Sequence, residues 1–426
     1  MIAIVKRGLR GSWRRISGRV RTEAGIPKRL VVEKARWLHD ARSPVTLMID
    51  DLTNAWHNRR GGDRWEPGGD WGAGHDADGS ALRTLEEGLL QDHPEARVTF
   101  FTVAGPISAY THHQPFSHAA PLDADEASRR FFSRLADDPR FELAYHGHNH
   151  GTPGERTDRF VQEWRGFPSH AAAVAQTRAG LETFRRAIGR VPQGGKYGGW
   201  DYNELAEGAV DECGFLWWCR DWMPRDVEGR VSDEYYEPQF FGDRLVVALP
   251  STVHGYAWTT RQIDRLLARR QMIGIEEHIA PVRPDGLVQT PNIVDDMPQL
   301  RKLYAYLRGK SVWHATGTEI AAYVVARERS LVHDVRTDGF SLRYEGRVAS
   351  PSLTLRIDGT AICSAARPLI AVTTPTGARV PAAACRFDRV RFRHLVTVPV
   401  EQGRYQVQAL AEAEAASAPA VDEGGR

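Results

Sequence analysis

The chain has 426 residues, a length that accommodates two or three domains of roughly 100–200 residues each. Its formal net charge is +2, which excludes the strongly basic character of many nucleic-acid-binding proteins, so we expect no nucleic-acid partner. No apolar run reaches the roughly 18 residues that a membrane-spanning helix needs, so the sequence predicts no such helix.

Residues 1–42 form a basic N-terminal segment, in which seven Lys or Arg side chains precede the first acidic residue, Glu23. Its opening apolar run is too short for a secretory signal, and we therefore expect a cytoplasmic protein. Two interpretations of this segment remain open. It is either a solvated extension that packs a few apolar residues onto the main domain, or an interfacial segment that contacts anionic lipid at the inner face of the membrane.

An α/β pattern occupies residues 43–330. Short apolar runs alternate with stretches of helical periodicity, and this alternation predicts parallel strand pairing in a barrel or an open sheet. The predicted strands are residues 45–49, 98–103, 142–145, 215–219, 245–249, 272–276 and 311–314. The predicted helices are residues 81–90, 127–135, 170–188, 204–213, 260–270, 298–307 and 318–328.

The pattern changes after about residue 331, where short runs of alternating apolar and polar residues are separated by Gly and Pro turns. Three such runs, at residues 340–344, 353–357 and 395–400, predict strands. We therefore expect residues 331–411 to form a small all-β module, a β-sandwich. Residues 412–426 are low in complexity and are expected to be a disordered tail.

Chemically active side chains follow several of the predicted strands. Asp50 and Asp51 follow the strand at residues 45–49, and His146 and His150 follow the strand at residues 142–145. Adjacent carboxylates can act separately, one as a metal ligand and the other as a base, and two histidines four residues apart can meet at one point. Because the carboxyl ends of parallel strands gather at one edge of a sheet, we expect these groups to converge. Together they are suited to metal-assisted hydrolysis.

The order of the motifs resembles the polysaccharide deacetylase family, carbohydrate esterases of the NodB-homology type. The matching pieces are LMIDD at 47–51, VTFF at 98–101, HGHNH at 146–150, the glycine-rich loop at 194–203, GIEEH at 274–278 and SVWHATGTEI at 311–320. The resemblance covers about residues 43–328. It implies an α/β fold, a distorted (β/α) barrel of the deacetylase type, which here precedes a small all-β C-terminal domain.

The resemblance also implies an activity and a set of roles. The protein would be a metal-dependent hydrolase that removes an acetyl group, most directly an N-acetyl group, from a sugar of a polysaccharide or glycan precursor. Asp51, His146 and His150 would bind Zn²⁺ or another divalent ion such as Co²⁺, Ni²⁺ or Mn²⁺. Asp50 would be the base that takes a proton from the attacking water, and His278 would be the acid that protonates the leaving amine.

Further residues have supporting roles in this resemblance. The backbone N–H of Tyr197 would help to hold the oxyanion, and Asp221 would orient His278, with Asp226 as the alternative. The family's third motif carries an arginine where this chain has Lys196, and we expect the lysine to replace it. The tryptophans expected to contact the substrate are Trp56, Trp200 and Trp222.

Other interpretations remain open. His254 is a rival of His278 as the acid, and His148 is expected to be a spectator. Glu276 and Glu277 suggest a glycosidase acid/base pair, although neighbours on a strand point to opposite faces. A catalytically inactive glycan-binding protein with the same fold is the remaining alternative.

Overall fold

The computed structural model describes residues 29–54, 57–58, 66–67, 80–106, 119–152, 161–220, 236–279, 289–359, 369–388 and 393–410. These residues fall into two compact units, one within Arg36–Glu328 and one that joins the described residues before Arg36 with those from Arg329 onward. Among the described residues, no helix combines the length and the apolar character needed to cross a membrane.

The strand β1 (Val31–Lys34) precedes the larger unit, which contains the remaining strands up to β15. These are β2 (Ser43–Leu52), β3 (His57–Asn58), β4 (Glu66–Pro67), β5 (Val98–Thr102), β6 (Phe141–Tyr145), β7 (Gly151–Thr152), β8 (Val161–Gln162), β9 (Gly194–Lys196), β10 (Trp217–Cys219), β11 (Gln239–Phe241), β12 (Val246–Leu249), β13 (Val253–His254), β14 (Ile273–His278) and β15 (Val312–His314). The helices are α1 (Ala81–Leu85), α2 (Glu126–Asp137), α3 (Glu163–Gly166), α4 (His170–Ile188), α5 (Ala206–Glu212), α6 (Thr260–Arg269), α7 (Met297–Leu307) and α8 (Gly317–Arg329).

A single large sheet organises this unit. Its strand order is β11-β12-β10-β9-β6-β5-β2-β14-β13, and β15 pairs beside the start of β2. Only the pair of β11 with β12 is antiparallel among the described pairings of this sheet. Among the described residues, the edge strands β11 and β13 do not pair with each other, so the sheet does not close into a complete barrel. The predicted fold class is confirmed, namely an α/β fold built as a distorted barrel with additional all-β strands in the C-terminal region.

The topology explains why the chemically active residues meet. The strands β2, β5, β6, β9 and β14 run parallel and are adjacent or nearly adjacent in the sheet. Their carboxyl ends therefore lie along one edge, where ligands bind in sheets of this kind. β2 ends with the two aspartates, β6 is followed by the first histidine, β9 ends at Lys196, and β14 ends at His278.

Within the part of the smaller unit that the structure describes, two four-stranded antiparallel sheets are present, ordered β1-β18-β21-β20 and β16-β17-β22-β19. Because β1 pairs with β18, part of the predicted N-terminal segment belongs to this unit. Its further strands are β16 (Ser330–His333), β17 (Gly339–Tyr344), β18 (Ser352–Asp358), β19 (Ile370–Thr373), β20 (Cys385–Asp388), β21 (Arg393–Pro399) and β22 (Gly403–Ala409). The domain boundaries and the β-sandwich arrangement stay predictions.

Candidate active site

Asp50 and Asp51 lie at the end of β2, where the strand is irregular. The register of β2 against β5 shifts between Ile49 and Leu52, and Asp51 has a φ of 66°. Neighbours on a regular strand point to opposite faces. Because the irregularity interrupts that alternation, both carboxylates enter the same group of polar side chains, although each has different partners.

Asp51 lies against the two histidines of the HGHNH motif. Its Oδ1 atom is 3.3 Å from Nε2 of His146 and 3.2 Å from Nε2 of His150. One potential ligand atom from each of the three side chains lies within 4.8 Å of the other two. Among the described residues, no other group of three or more His, Cys, Asp or Glu side chains meets this condition.

The charge state of Asp51 suits a metal ligand. Burial raises the pKa of the Asp51 carboxyl, but the charge of His150 and hydrogen bonds from His146 and His150 outweigh burial and hold that pKa well below its usual range. Burial lowers the pKa of His150, but the Asp51 carboxylate outweighs this effect and raises it. Asp51 is therefore ionised at neutral pH, as a metal-binding carboxylate must be.

The orientation of His146 is fixed by a backbone carbonyl. Its Nδ1 atom lies 3.1 Å from the carbonyl oxygen of Lys196, and its side chain is 1% exposed. In a neutral ring whose Nδ1 donates to this carbonyl, Nε2 would carry the lone pair that a metal ion needs. Metal-binding histidines ordinarily have a second hydrogen bond of this kind.

Glu163, which the sequence analysis did not identify, shapes the loop that carries His150. Its carboxylate accepts hydrogen bonds from the backbone N–H groups of His148, Asn149 and His150, each at 2.9 Å. Gly147 has a φ of 118°, and a Cβ there would lie 2.5 Å from Oε2 of Glu163. The partners of Glu163 are backbone N–H groups, which every residue except proline has. No pattern of residue types in the sequence could therefore have indicated Glu163.

Lys196 joins Asp50 to Glu276. Its Nζ atom lies 2.5 Å from Oδ2 of Asp50 and 2.8 Å from Oε1 of Glu276, and its side chain is 1% exposed. The ammonium also lies 3.9 Å from the centroid of the Trp200 ring and 5.5 Å from that of Phe101. Burial lowers the pKa of Lys196, but the two carboxylates outweigh burial and raise it. Lys196 is therefore a buried cation shared by two acids.

Glu276 and Glu277 have opposite environments. Glu276 accepts hydrogen bonds from Nε1 of Trp200 at 2.9 Å and from Oγ of Ser251 at 3.0 Å. Burial raises the pKa of Glu276, but Lys196 outweighs burial and lowers it to about 2. Glu277 has no exposed surface, and burial followed by the charges of Asp296 and Glu276 raises its pKa to about 9. The two glutamates lie on different faces of β14.

His278 ends β14 next to Asp50. Its Nε2 atom lies 3.8 Å from Oδ2 of Asp50, and its Nδ1 atom lies 2.8 Å from the carbonyl oxygen of Pro291. In the strand register, His278 is the direct partner of Asp50. His254, the rival candidate, is more than half exposed and lies 3.8 Å from Oε2 of Glu276. Of the two histidines, His278 is therefore the one placed beside the proposed base.

The other predicted site residues differ in how they are placed relative to the site. The ring of Tyr197 is buried and stacks on that of Tyr202, so only its backbone remains a candidate for the site. Trp200 is half-buried, and its indole N–H is used by Glu276. The predicted roles of these residues stay predictions. The remaining candidates, Trp56, Asp221, Trp222 and Asp226, lie outside the described residues.

The Asp51, His146 and His150 side chains fit a divalent metal ion. One carboxylate and two imidazoles resemble the ligand sets of catalytic zinc sites, in which three protein ligands leave a further position open. The same oxygen and nitrogen donors also suit other divalent first-row metals. The short distances from Asp51 to both histidines and the supported Nδ1 of His146 are the observations that favour this fit.

No protein-family model matches the chain, and no curated protein matches it. Among solved structures, a probable polysaccharide deacetylase from Pseudomonas aeruginosa PAO1 is 13% identical, with a TM-score of 0.42 over 68% of this chain and 93% of the other. PuuE allantoinase is 13% identical, with a TM-score of 0.44 over 68% and 92% of the two chains. BA3943 from Bacillus anthracis, a CE4 family pseudoenzyme, is 12% identical, with a TM-score of 0.34 over 66% and 65%. Similarities this low establish neither a common family nor an activity.

Proposed function

We propose that the protein is a metal-dependent hydrolase that removes an acetyl group, most directly an N-acetyl group, from a sugar of a polysaccharide or glycan precursor. The observation that carries the proposal is the placement of two groups at one sheet edge. Asp51, His146 and His150 form a potential metal site, and Asp50 and His278 lie beside it as a potential base and acid.

The metal would be held by Asp51, His146 and His150. Zn²⁺ is the first candidate, and Co²⁺, Ni²⁺ and Mn²⁺ are the others. When bound, such an ion supplies Lewis-acid polarisation and makes a coordinated water more acidic. His146 is suited to its role because its ring is already oriented by the Lys196 carbonyl.

Asp50 is placed to act as the base. Its Oδ2 atom accepts a hydrogen bond from Lys196, whereas its buried Oδ1 atom has no hydrogen-bond partner among the described residues. A buried carboxylate oxygen without a partner is costly unless another group fills that place. A water positioned there could give its proton to Oδ1 while its oxygen attacks the acetyl carbonyl carbon.

His278 is placed to act as the acid. Because its Nδ1 atom is engaged by Pro291, the proton that it can deliver is the one on Nε2 of the imidazolium. Donation of this proton to the departing nitrogen, as the carbon–nitrogen bond breaks, yields acetate and a free amine. The backbone N–H of Tyr197, next to Lys196, is the proposed donor to the oxyanion.

The proposed substrate contacts come from tryptophans. Trp56, Trp200 and Trp222 would pack against the sugar or its acetyl group, and Asp221 would help to orient His278. The two sheets of the smaller unit would form the β-sandwich module. The basic residues before Glu23 would bring the protein to an anionic membrane surface at the inner face, where an acetylated glycan precursor is the expected partner.

The glycosidase alternative is disfavoured by the orientation of its candidate acids. A glycosidase pair needs two carboxyl groups that both reach the scissile bond, one on either side of it. Glu276 is held as a carboxylate by Lys196, and Glu277 faces Gly255, where an added Cβ would lie 1.6 Å from its Oε1 atom. Glu277 therefore faces the protein interior and not the site.

The direct test incubates the protein with a panel of N- and O-acetylated glycans, with and without a chelator. Mass spectrometry then measures the loss of acetyl groups. We expect a loss of acetyl groups that depends on the metal. An inactive glycan-binding protein would bind members of the panel without changing their mass, and a glycosidase would shorten them in the presence of chelator.

A further inference from the structure

One buried carboxylate of the site has no step in the proposed reaction. We infer that Glu276 is a positioning residue, which fixes the ammonium of Lys196 so that the lysine in turn holds the Asp50 carboxylate in place for proton transfer. This inference rests on the proposed function, because it assigns Glu276 a task within that reaction. It also distinguishes this site from one in which an arginine would hold the base alone.

Lysine and arginine hold a carboxylate in different ways. A guanidinium is planar and can hold a carboxylate through two parallel hydrogen bonds, which fix both partners. An ammonium is a point charge on a flexible stem, so a single carboxylate does not fix its position. Lys196 therefore needs a second anchor, and Glu276 supplies it at 2.8 Å, on β14.

Glu276 is itself held in place. Ser251 donates to its Oε2 atom and Trp200 donates to its Oε1 atom, while the residue is only 5% exposed. Trp200 makes two contacts in this group, because the centroid of the same indole ring also lies 3.9 Å from the ammonium of Lys196. The ammonium thus lies between two carboxylates and against the face of the Trp200 ring.

The register of β14 places Glu276 and His278 next to β2. Residues two apart on a strand share a face, so Glu276 and His278 point toward the same side of the sheet. Glu276 pairs with Met48, and His278 pairs with Asp50 in the neighbouring strand β2. One strand therefore carries the proposed acid and the anchor of the lysine that holds the proposed base.

The test uses Glu276→Gln, which keeps the shape of the side chain and removes its charge. Glu277→Gln is the matched control, because it removes the neighbouring buried carboxyl on the opposite face. The probe is penta-N-acetylchitopentaose, or the best substrate of the acetylated panel. Metal content and Tm are measured for every variant, so that a loss of folding or of metal is recognised.

We expect Glu276→Gln to lower kcat about 10- to 100-fold, as a misplaced catalytic group does. KM should change by less than about threefold, since Glu276 does not reach the substrate. Metal content should equal that of the wild type, and Glu277→Gln should leave kcat unchanged. A kcat of Glu276→Gln within threefold of the wild type would overturn the inference.

A double-mutant cycle separates positioning from a purely structural contribution. In the Lys196→Met background, Glu276→Gln should no longer lower kcat, because there is no ammonium left to position. If Lys196→Met shows no measurable turnover, the Tm of the same four proteins is compared instead of kcat. Glu276→Gln should then lower the Tm of the wild type but raise that of Lys196→Met, where it removes a buried carboxylate without a counter-charge.

Equal effects of Glu276→Gln in both backgrounds would contradict the inference. A failure of the proposed function gives a different result, because the wild-type protein would then release no acetate from any member of the panel. An active wild type with an unaffected Glu276→Gln variant would overturn only the positioning role of Glu276.

Discussion

The ammonium of Lys196 and the carboxylate of Asp50 form a buried ion pair, with Nζ 2.5 Å from Oδ2. The two residues are 146 positions apart in the chain and meet because β9 and β2 end at the same edge of the sheet. The pair leaves Oδ1 of Asp50 without a partner among the described residues. Lys196 thus holds one oxygen of the proposed base while the other can take a proton.

Lys196→Met should destabilise the protein strongly. The substitution leaves Asp50 and Glu276 buried without their cation, and removing one partner of a buried ion pair typically costs about 3–5 kcal/mol. Urea denaturation of the metal-free protein measures this difference. Lys302→Met is the control, because Lys302 is exposed on α7 and its loss should change the free energy of unfolding by less than about 0.5 kcal/mol. Equal stability of the two variants would argue against the buried pair.

His146→Ala and His150→Ala should each lose the bound metal and the activity. Each variant removes one of three proposed ligands, and two ligands do not form a closed coordination site. Elemental analysis after dialysis measures the bound metal directly. His148→Ala is the control from the same loop, since His148 is not part of the ligand group. A stoichiometric metal content in both ligand variants would refute the assignment of the site.

Glu163→Gln should weaken metal binding without removing any ligand. A glutamine offers one accepting oxygen to a loop that now uses both oxygens of a carboxylate for three N–H groups. Loss of an outer partner of a metal ligand typically lowers affinity about 10- to 100-fold. Titration with a competing metal indicator measures the change, with Glu182→Gln, an exchange on the surface helix α4, as the control. Unchanged affinity in Glu163→Gln would show that the loop keeps its shape without the carboxylate.

Glu277 should make stability fall as pH rises. Its pKa is raised from the usual 4.5 to about 9, first by burial and then by Asp296 and Glu276. The folded state therefore binds more protons than the unfolded state between these two values, and the stabilisation present below about pH 4.5 is lost progressively up to about pH 9. Glu277→Gln removes this dependence.

Urea denaturation of wild type and Glu277→Gln at several pH values between 5 and 9 checks this expectation. As pH rises, the free energy of unfolding of Glu277→Gln should increase relative to that of the wild type, by up to about 1.4 kcal/mol per pH unit. Comparison of the two proteins cancels the titration of the histidines that they share. Parallel pH profiles would show that Glu277 is not held neutral in the folded state.

Most elements of the larger unit could be predicted because local sequence specifies them. The helix predicted at residues 170–188 is confirmed as α4 with the same bounds. Ser169 accepts a hydrogen bond from the N–H of Ala172 at its start, and Gly189 adopts a φ of 75° after its end. Both are signals that the sequence shows. The alternation of such helices with buried strands predicted parallel strand pairing, whereas the distorted barrel was implied only by the resemblance of the motifs.

Features that depend on distant partners could not be predicted. The run Val31–Lys34 gives no sign that it pairs with β18, which follows the whole larger unit. Nor does the sequence show that the register of β2 shifts beside Asp51. The sequence predicted Lys196 in a glycine-rich loop, whereas it ends the strand β9. Whether its side chain reached Asp50 depended on the packing of β9 against its neighbours. The three proposed metal ligands lie together, while their role stays a prediction.

The central claim is that Asp51, His146 and His150 hold a metal for acetyl hydrolysis in which Asp50 is the base. The most direct test measures metal content and acetate release in the same samples of wild type and Asp50→Asn, before chelation, after chelation and after metal is restored. We predict that wild-type acetate release disappears with the metal and returns with it. Asp50→Asn should bind the metal fully while its rate falls about 10²- to 10⁴-fold, the usual contribution of a general base. Undiminished acetate release by the metal-free wild type, or by metal-loaded Asp50→Asn, would contradict the claim.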